Sequence, residues 1–105
     1  MSTPATPAPM PTLPLANILT AISDLTRWRI LDELLKGEPL PVKELARRLG
    51  VPATNISKHC TALCQFGIVL RGFGNLFKIP DHFQMPGQRA LDLGAVVLRL
   101  DRLDA

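Results

Sequence analysis

The side chains of this chain best suited to chemistry lie close together: Thr54, Asn55, Ser57, Lys58 and His59, within VKELARRLGVPATNISKHCTALCQFG (residues 42–67). Their chemistry is hydrogen bonding to a partner. An asparagine amide can bond twice to an adenine edge, a lysine can donate to O6 and N7 of guanine, and a threonine methyl can meet that of thymine. Small residues such as Ala53 and Thr54 at a helix start let the backbone come close, and the first amides of a helix favour a phosphate. Lys43, Arg47, Arg48, Arg71 and Lys78 surround the set. They suit phosphate contacts, which fix register without reading sequence. Plainer roles exist for each: solvated surface for Asn55 and Lys58, a close helix contact for Ser57, a carbonyl-bonded core edge for His59.

Two elements must position these residues. Residues 42–49 form a short helix with Val42, Leu45, Ala46 and Leu49 inward, Gly50-Val51 makes a tight turn, and residues 53–66 form a second helix. Ile56, Cys60, Leu63 and Gly67 recur at i, i+4, i+7 and i+11, which marks a buried seam. Two helices so joined, with polar residues opening the second, are the sequence form of a helix-turn-helix. The period then changes. Ile68–Arg71, Gly72–Asn75 and Leu76–Ile79 read as strand, turn and strand, a hairpin wing whose Arg71 and Lys78 flank the turn.

The rest of the chain frames this unit. Residues 1–14 hold five of the ten prolines and read as a disordered or polyproline-like tail. Residues 15–22 form a short apolar helix. Ser23-Asp24 offers an N-cap for a helix over 25–36, with Ile30, Leu31, Leu34 and Leu35 as its core stripe and Trp28 packing beside it. Residues 81–87 are a linker. In residues 88–104, Leu93, Val96, Val97, Leu100 and Leu103 follow helical spacing, which points to a helix; Gly94 and the valine pair would suit a strand. The apolar residues exceed what a small core needs and point to a subunit interface.

Charge and composition narrow the class. Residues 42–78 hold six bases against one acid, Glu44, a net +5; the remainder holds six bases and eight acids, a net −2. The positive excess thus coincides with the helix-turn-helix and wing, as a phosphate-binding face requires. No paired carboxylates, nucleophile–base pair or phosphate loop is present, so no enzyme is expected. No apolar run is long enough to span a membrane and no signal peptide is evident, which makes the cytoplasm the default. Cys60 and Cys64 lie four apart on one helix and fit reduced thiols. Cys60 points to the core. Cys64 is the candidate for redox control, with Lys58 and His59 near enough to lower its pKa.

With these residues in view, AISDLTRWRILDELLKGE, VKELARRLGVPATNISKHCTALCQFGIV and NLFKI together make residues 21–79 resemble the ArsR family of bacterial repressors. Asp24, Thr26 and Arg27 match its Asp-Pro-Thr-Arg pattern with Leu25 at the proline; Ser57-Lys58-His59-Cys60 matches its Ser-Arg-His-Leu run. The resemblance implies a homodimer on an imperfect palindrome of double-stranded DNA, with first and last helices as the interface and release by a small-molecule, metal or oxidant effector. It carries Thr54, Asn55, Ser57, Lys58 and His59 over as the DNA-reading face. The chain departs from the family in having no Cys-x-Cys in PLPVKELA, no histidine after residue 87, and a shorter wing. Cys60, Cys64, His59 and His82 do not make a converging set of the kind zinc needs, so neither a metal nor a cofactor is expected.

The expectation is a mainly α fold with a small β-hairpin wing, a winged helix-turn-helix whose terminal segments form a dimer interface. Residues 1–14 would be a tail, 15–80 the DNA-binding domain, and 81–105 a linker and dimerisation segment. The expected function is a dimeric, sequence-specific transcriptional regulator, a repressor on the resemblance. The alternatives are a redox-responsive regulator acting through Cys64 and a winged-helix protein-interaction module.

Overall fold

The computed structural model describes residues 13–104. The proline-rich stretch read as a tail falls almost wholly outside them. Four helices come first: α1 (Leu15–Ala21), α2 (Leu25–Leu35), α3 (Val42–Leu49) and α4 (Ala53–Gln65). Two antiparallel hairpins follow, β1 (Leu70–Arg71) with β2 (Phe77–Lys78), and β3 (Ala90–Asp92) with β4 (Val97–Arg99). The fold is a mainly α winged helix-turn-helix with a second hairpin behind it.

Local chemistry explains the helix limits. The Asp24 side chain accepts a hydrogen bond from the Arg27 N–H at 3.2 Å and caps α2, as its position before the apolar stripe suggested. Gly50 ends α3 at φ 65, a left-handed conformation that admits glycine without steric cost, and there the chain turns into α4. At the end of α4 the Ile68 N–H bonds to the Leu63 carbonyl at 3.0 Å and the Gly67 N–H to that of Cys64 at 3.1 Å. This is a Schellman close, with Gly67 at φ 83. Gly67 is therefore an exposed cap and not part of the buried seam that its spacing suggested.

One core joins the four helices, β2 and the C-terminal hairpin. Ile18, Ile30, Leu31 and Leu34 from α1 and α2 meet Leu45 of α3 and Ile56, Cys60 and Leu63 of α4. Trp28 is half-buried beside them and donates its indole N–H to the Ile22 carbonyl at 2.7 Å. The wing is moored to this core by Phe77, which is 1% exposed. Phe77 exchanges backbone hydrogen bonds with Leu40 at 2.8 and 2.9 Å, so the connector before α3 lies beside the hairpin as a short extended piece. The wing strands are shorter than the sequence suggested, because Ile68 and Val69 are spent on closing α4 and filling the core.

Residues 88–104 do not form the expected helix. They make β3, a tight turn, β4 and a 3-10 turn over Leu100–Asp104. Gly94 at φ 93 sits in the turn, where its N–H donates to the Asp92 carboxylate at 2.9 Å. The decisive pattern has period two: Leu91, Leu93, Leu98 and Leu100 are buried while Asp92, Val97 and Arg99 are exposed. Those leucines complete the chain's own core, so the supposed excess of apolar surface is mostly used internally. Arg89 fastens this segment. Its guanidinium donates to both oxygens of Asp32 on α2, at 2.8 and 2.9 Å, and to Asp104 at 2.6 Å.

Candidate nucleic-acid interface

The burial of Ile56, Cys60 and Leu63 fixes how α4 is rotated, and with it which residues face out. Thr54, Asn55, Ser57 and Lys58 are all exposed, as is Thr61 one turn further on. No side chain caps the start of α4, where Pro52 precedes Ala53; the Asn55 N–H donates to the Pro52 carbonyl at 3.0 Å, and among the described residues the Ala53 and Thr54 amides stay open. Four of the five residues assigned to a reading face thus share one solvent-facing surface.

His59 is the exception. It is half-buried, and its Nδ1 accepts a hydrogen bond from Arg27 Nε at 3.2 Å. Its Nε2 lies 3.8 Å from the Asp24 carboxylate that caps α2. Arg27 also donates to the Thr20 carbonyl at 2.9 Å. His59 therefore ties α4 to the α1–α2 junction; it does not extend the exposed face. The bonding partners are side chains, where the sequence suggested a carbonyl.

The six bases of this region divide into two groups. Arg47 and Arg48 share Glu44: Arg47 makes a two-pronged pair at 2.7 and 2.8 Å, and Arg48 reaches the same carboxylate at 3.1 Å. Hydrogen bonds from Arg47 and then Arg48 hold the Glu44 carboxyl well below its ordinary value, at about 2. Arg48 also lies 3.6 Å from Glu33. Among the described residues, Lys43, Lys58, Arg71 and Lys78 have no carboxylate within salt-bridge distance.

Three of the proposed contact residues come together in one cleft. Lys43, Ser57 and Arg71 line a depression of ≈ 420 Å³ between the start of α3, the exposed side of α4 and the wing, with Asn75 and Phe77 completing it. Arg71 is aimed there by its neighbours. Its guanidinium lies 5.0 Å from the centre of the Phe77 ring and 3.5 Å from the Thr61 hydroxyl. Thr61 and Asn75 were not singled out in the sequence; the helical spacing from Ser57 and Lys58 would have found Thr61. Lys78 is not part of the cleft. It pairs in register with Leu70, on the hairpin face opposite Phe77, and lines a separate hollow with Leu70, Asp81 and His82.

The cysteines are less suited to redox chemistry than their spacing suggested. Cys60 is buried, and burial pushes its thiol up to about 12. Cys64 is half-buried and packs on the core; burial raises its pKa too, with Arg71 opposing. The expected lowering by Lys58 and His59 is thus not found. Among the described residues, no three His, Cys, Asp or Glu side chains converge as a metal site would need.

Comparison with known families adds one finding. Residues 22–63 match the model of a family described as a helix-turn-helix domain. The matched stretch runs from the end of α1 to the last buried turn of α4. It takes in Lys43, Arg47, Arg48 and the exposed residues of α4 up to Thr61, and stops short of the wing. The match agrees with the helix-turn-helix seen in α3 and α4 and supports a DNA-binding regulator. No curated protein matches the chain.

Proposed function

We propose that this protein is a sequence-specific transcriptional repressor of the ArsR kind, acting in the cytoplasm as a homodimer on double-stranded DNA. The observation that carries the reading is the outer face of α4: Thr54, Asn55, Ser57 and Lys58 stand exposed over an apolar back, beside Lys43 and Arg71, which among the described residues have no carboxylate within salt-bridge distance. In this reading α4 lies in the major groove, with Asn55 and Lys58 reading base edges. Lys43 and Arg71 hold phosphate from either side of the cleft. Arg47 and Arg48 contribute less than their charge suggests, because Glu44 competes for them.

Dimerisation has its own support. Leu15 and Leu19 are about half-exposed on one side of α1, and Leu25 is 57% exposed at the start of α2. Ile22 and Leu25 line a mostly apolar groove with Trp28 and Leu103. Ile22 just after α1 and Leu103 near the C-terminus thus border one groove, the kind of apolar surface that an interface between two copies needs. Residues 15–80 would then bind DNA, and the outer side of residues 81–105 would join α1 in the interface.

The test is solution mass by light scattering, followed by DNA-binding anisotropy on the same preparation. A dimer that prefers its own upstream region to random DNA supports the reading. A monomer without DNA affinity at low salt overturns it and favours a protein-interaction module. Leu19→Glu is expected to shift the dimer to monomer and weaken binding to a palindromic site.

A further inference from the structure

The tip of the wing takes no part in the contacts described so far. Phe73 opens the 3-10 turn Phe73–Asn75 between β1 and β2, and at 101% exposure it has essentially no neighbours. Among the described residues no other large apolar side chain exceeds 57%. A half-exposed leucine is ordinary on a protein surface, but a phenylalanine ring held wholly in water is not.

The mount beneath the ring is well tied. The Gly72 N–H bonds to the Leu76 carbonyl at 2.7 Å, and Gly74 and Asn75 turn the chain at φ 72 and φ 58. Directly below, Phe77 is fixed to Leu40 and buried. The tip also has a defined place beside the reading face. Arg71 and Asn75, two residues to either side of Phe73, line the cleft that Lys43 and Ser57 share. With α4 in a major groove, this cleft suits the phosphate strand that borders the groove, its charge met by Lys43 and Arg71. Past a phosphate strand lies the neighbouring minor groove, and the wing tip is the element on that side.

We propose that Phe73 is an apolar wedge that enters the minor groove of the bound duplex and partly unstacks one base step, bending the DNA. This rests on the DNA-binding reading above. Aromatic and aliphatic side chains at other minor-groove interfaces act in this way, spending stacking energy to wrap more of the duplex around the protein. DNA is the occupant that the surroundings favour. At the tip the ring is flanked by Gly72, Gly74 and Asn75 with Arg71 two residues before it, while the wing's other exposed apolar residue, Leu70, lies at the base of the hairpin paired with Lys78, so the tip is a single apolar point beside a base and lacks the broad apolar patch of a protein-docking surface.

The experiment uses the full chain and a labelled duplex selected by the parent protein from a random-sequence pool. Affinity is read by anisotropy, and bending by energy transfer between the duplex ends. Phe73→Ala is expected to lower affinity about tenfold and to straighten the bound duplex, while Phe73→Leu keeps most of both. The thermal midpoint of the free protein should not change in either variant, because the ring touches nothing. If Phe73→Ala binds and bends the duplex as the parent does, the wedge is refuted and the DNA-binding reading stands. A parent complex that is already straight also refutes it. If the parent selects no duplex at all, the DNA-binding reading fails and the wedge fails with it.

Discussion

Arg89 and Arg71 are both exposed arginines on the hairpin side of one core, yet they are used in opposite ways. Arg89 grips Asp32 and Asp104 together, four hydrogen bonds to two carboxylates, and Arg99 nearby is paired with Asp101 at 2.7 Å. Arg71 meets a hydroxyl and an aromatic face and, among the described residues, no acid. The contrast extends to their regions. Around the C-terminal hairpin the charges close on each other and fasten the segment to α2. Around α4 and the wing, Lys43, Lys58, Arg71 and Lys78 have no carboxylate within salt-bridge distance among the described residues: Glu44 is taken up by Arg47 and Arg48, and Asp81, which shares a hollow with Lys78, does not reach it. A protein gains little stability from unpaired surface bases, so a cluster of them beside an exposed polar helix face points to an external polyanion.

The comparison breaks most severely if the shared core is opened. Leu63→Ala removes a fully buried side chain where α4 rests on the other helices. A loss of about 2–5 kcal/mol in denaturant unfolding is expected, with both regions failing in one transition. A smaller effect should come from the reading face itself. Lys58→Ala and Asn55→Ala should each cost about 1–3 kcal/mol of specific DNA binding with the thermal midpoint unchanged. If both variants bind an identified operator like the parent, that face is misassigned.

Glu44 tests the boundary between the two regimes. Its carboxyl is depressed in the folded state, so its contribution to stability is present above its ordinary value and is lost as pH falls towards about 2. Glu44→Gln should flatten stability over that acid range. It should also release Arg47 and Arg48 from their shared acid, strengthening non-specific DNA binding and steepening its salt dependence. An unchanged salt slope would mean that both arginines lie away from the phosphates. The smallest effect on DNA is expected at the other region. Arg89→Ala should lower the thermal midpoint, by freeing the C-terminal segment from α2, and leave DNA affinity as it was.

What the sequence revealed followed the strength of its periodic signals. The seam of Ile56, Cys60 and Leu63 fixed the exposed side of α4, and Asp24 and Gly50 marked a helix start and a helix end before any fold was in hand. The C-terminal segment misled because Leu93, Val96, Val97, Leu100 and Leu103 fit a helical period as well as Leu91, Leu93, Leu98 and Leu100 fit a strand period. Gly94, which needed a positive φ, was the residue that decided between them. The pairing of bases was not legible at all. Nothing in the order Glu44, Arg47, Arg48 shows that one carboxylate holds both arginines, or that Arg27 draws His59 away from the reading face. Those contacts depend on side-chain reach across helices that only the packed core brings together.

The central claim is that the bases left unpaired around α4 and the wing serve a polyanion. It is tested most directly by measuring DNA affinity across a salt series with the full chain. The account predicts a straight fall of log affinity against log salt. With about −0.9 per phosphate neutralised on B-DNA, the two bases placed on phosphate, Lys43 and Arg71, give a slope of about −2 per protomer. A slope near zero, with the fold intact, would contradict the claim.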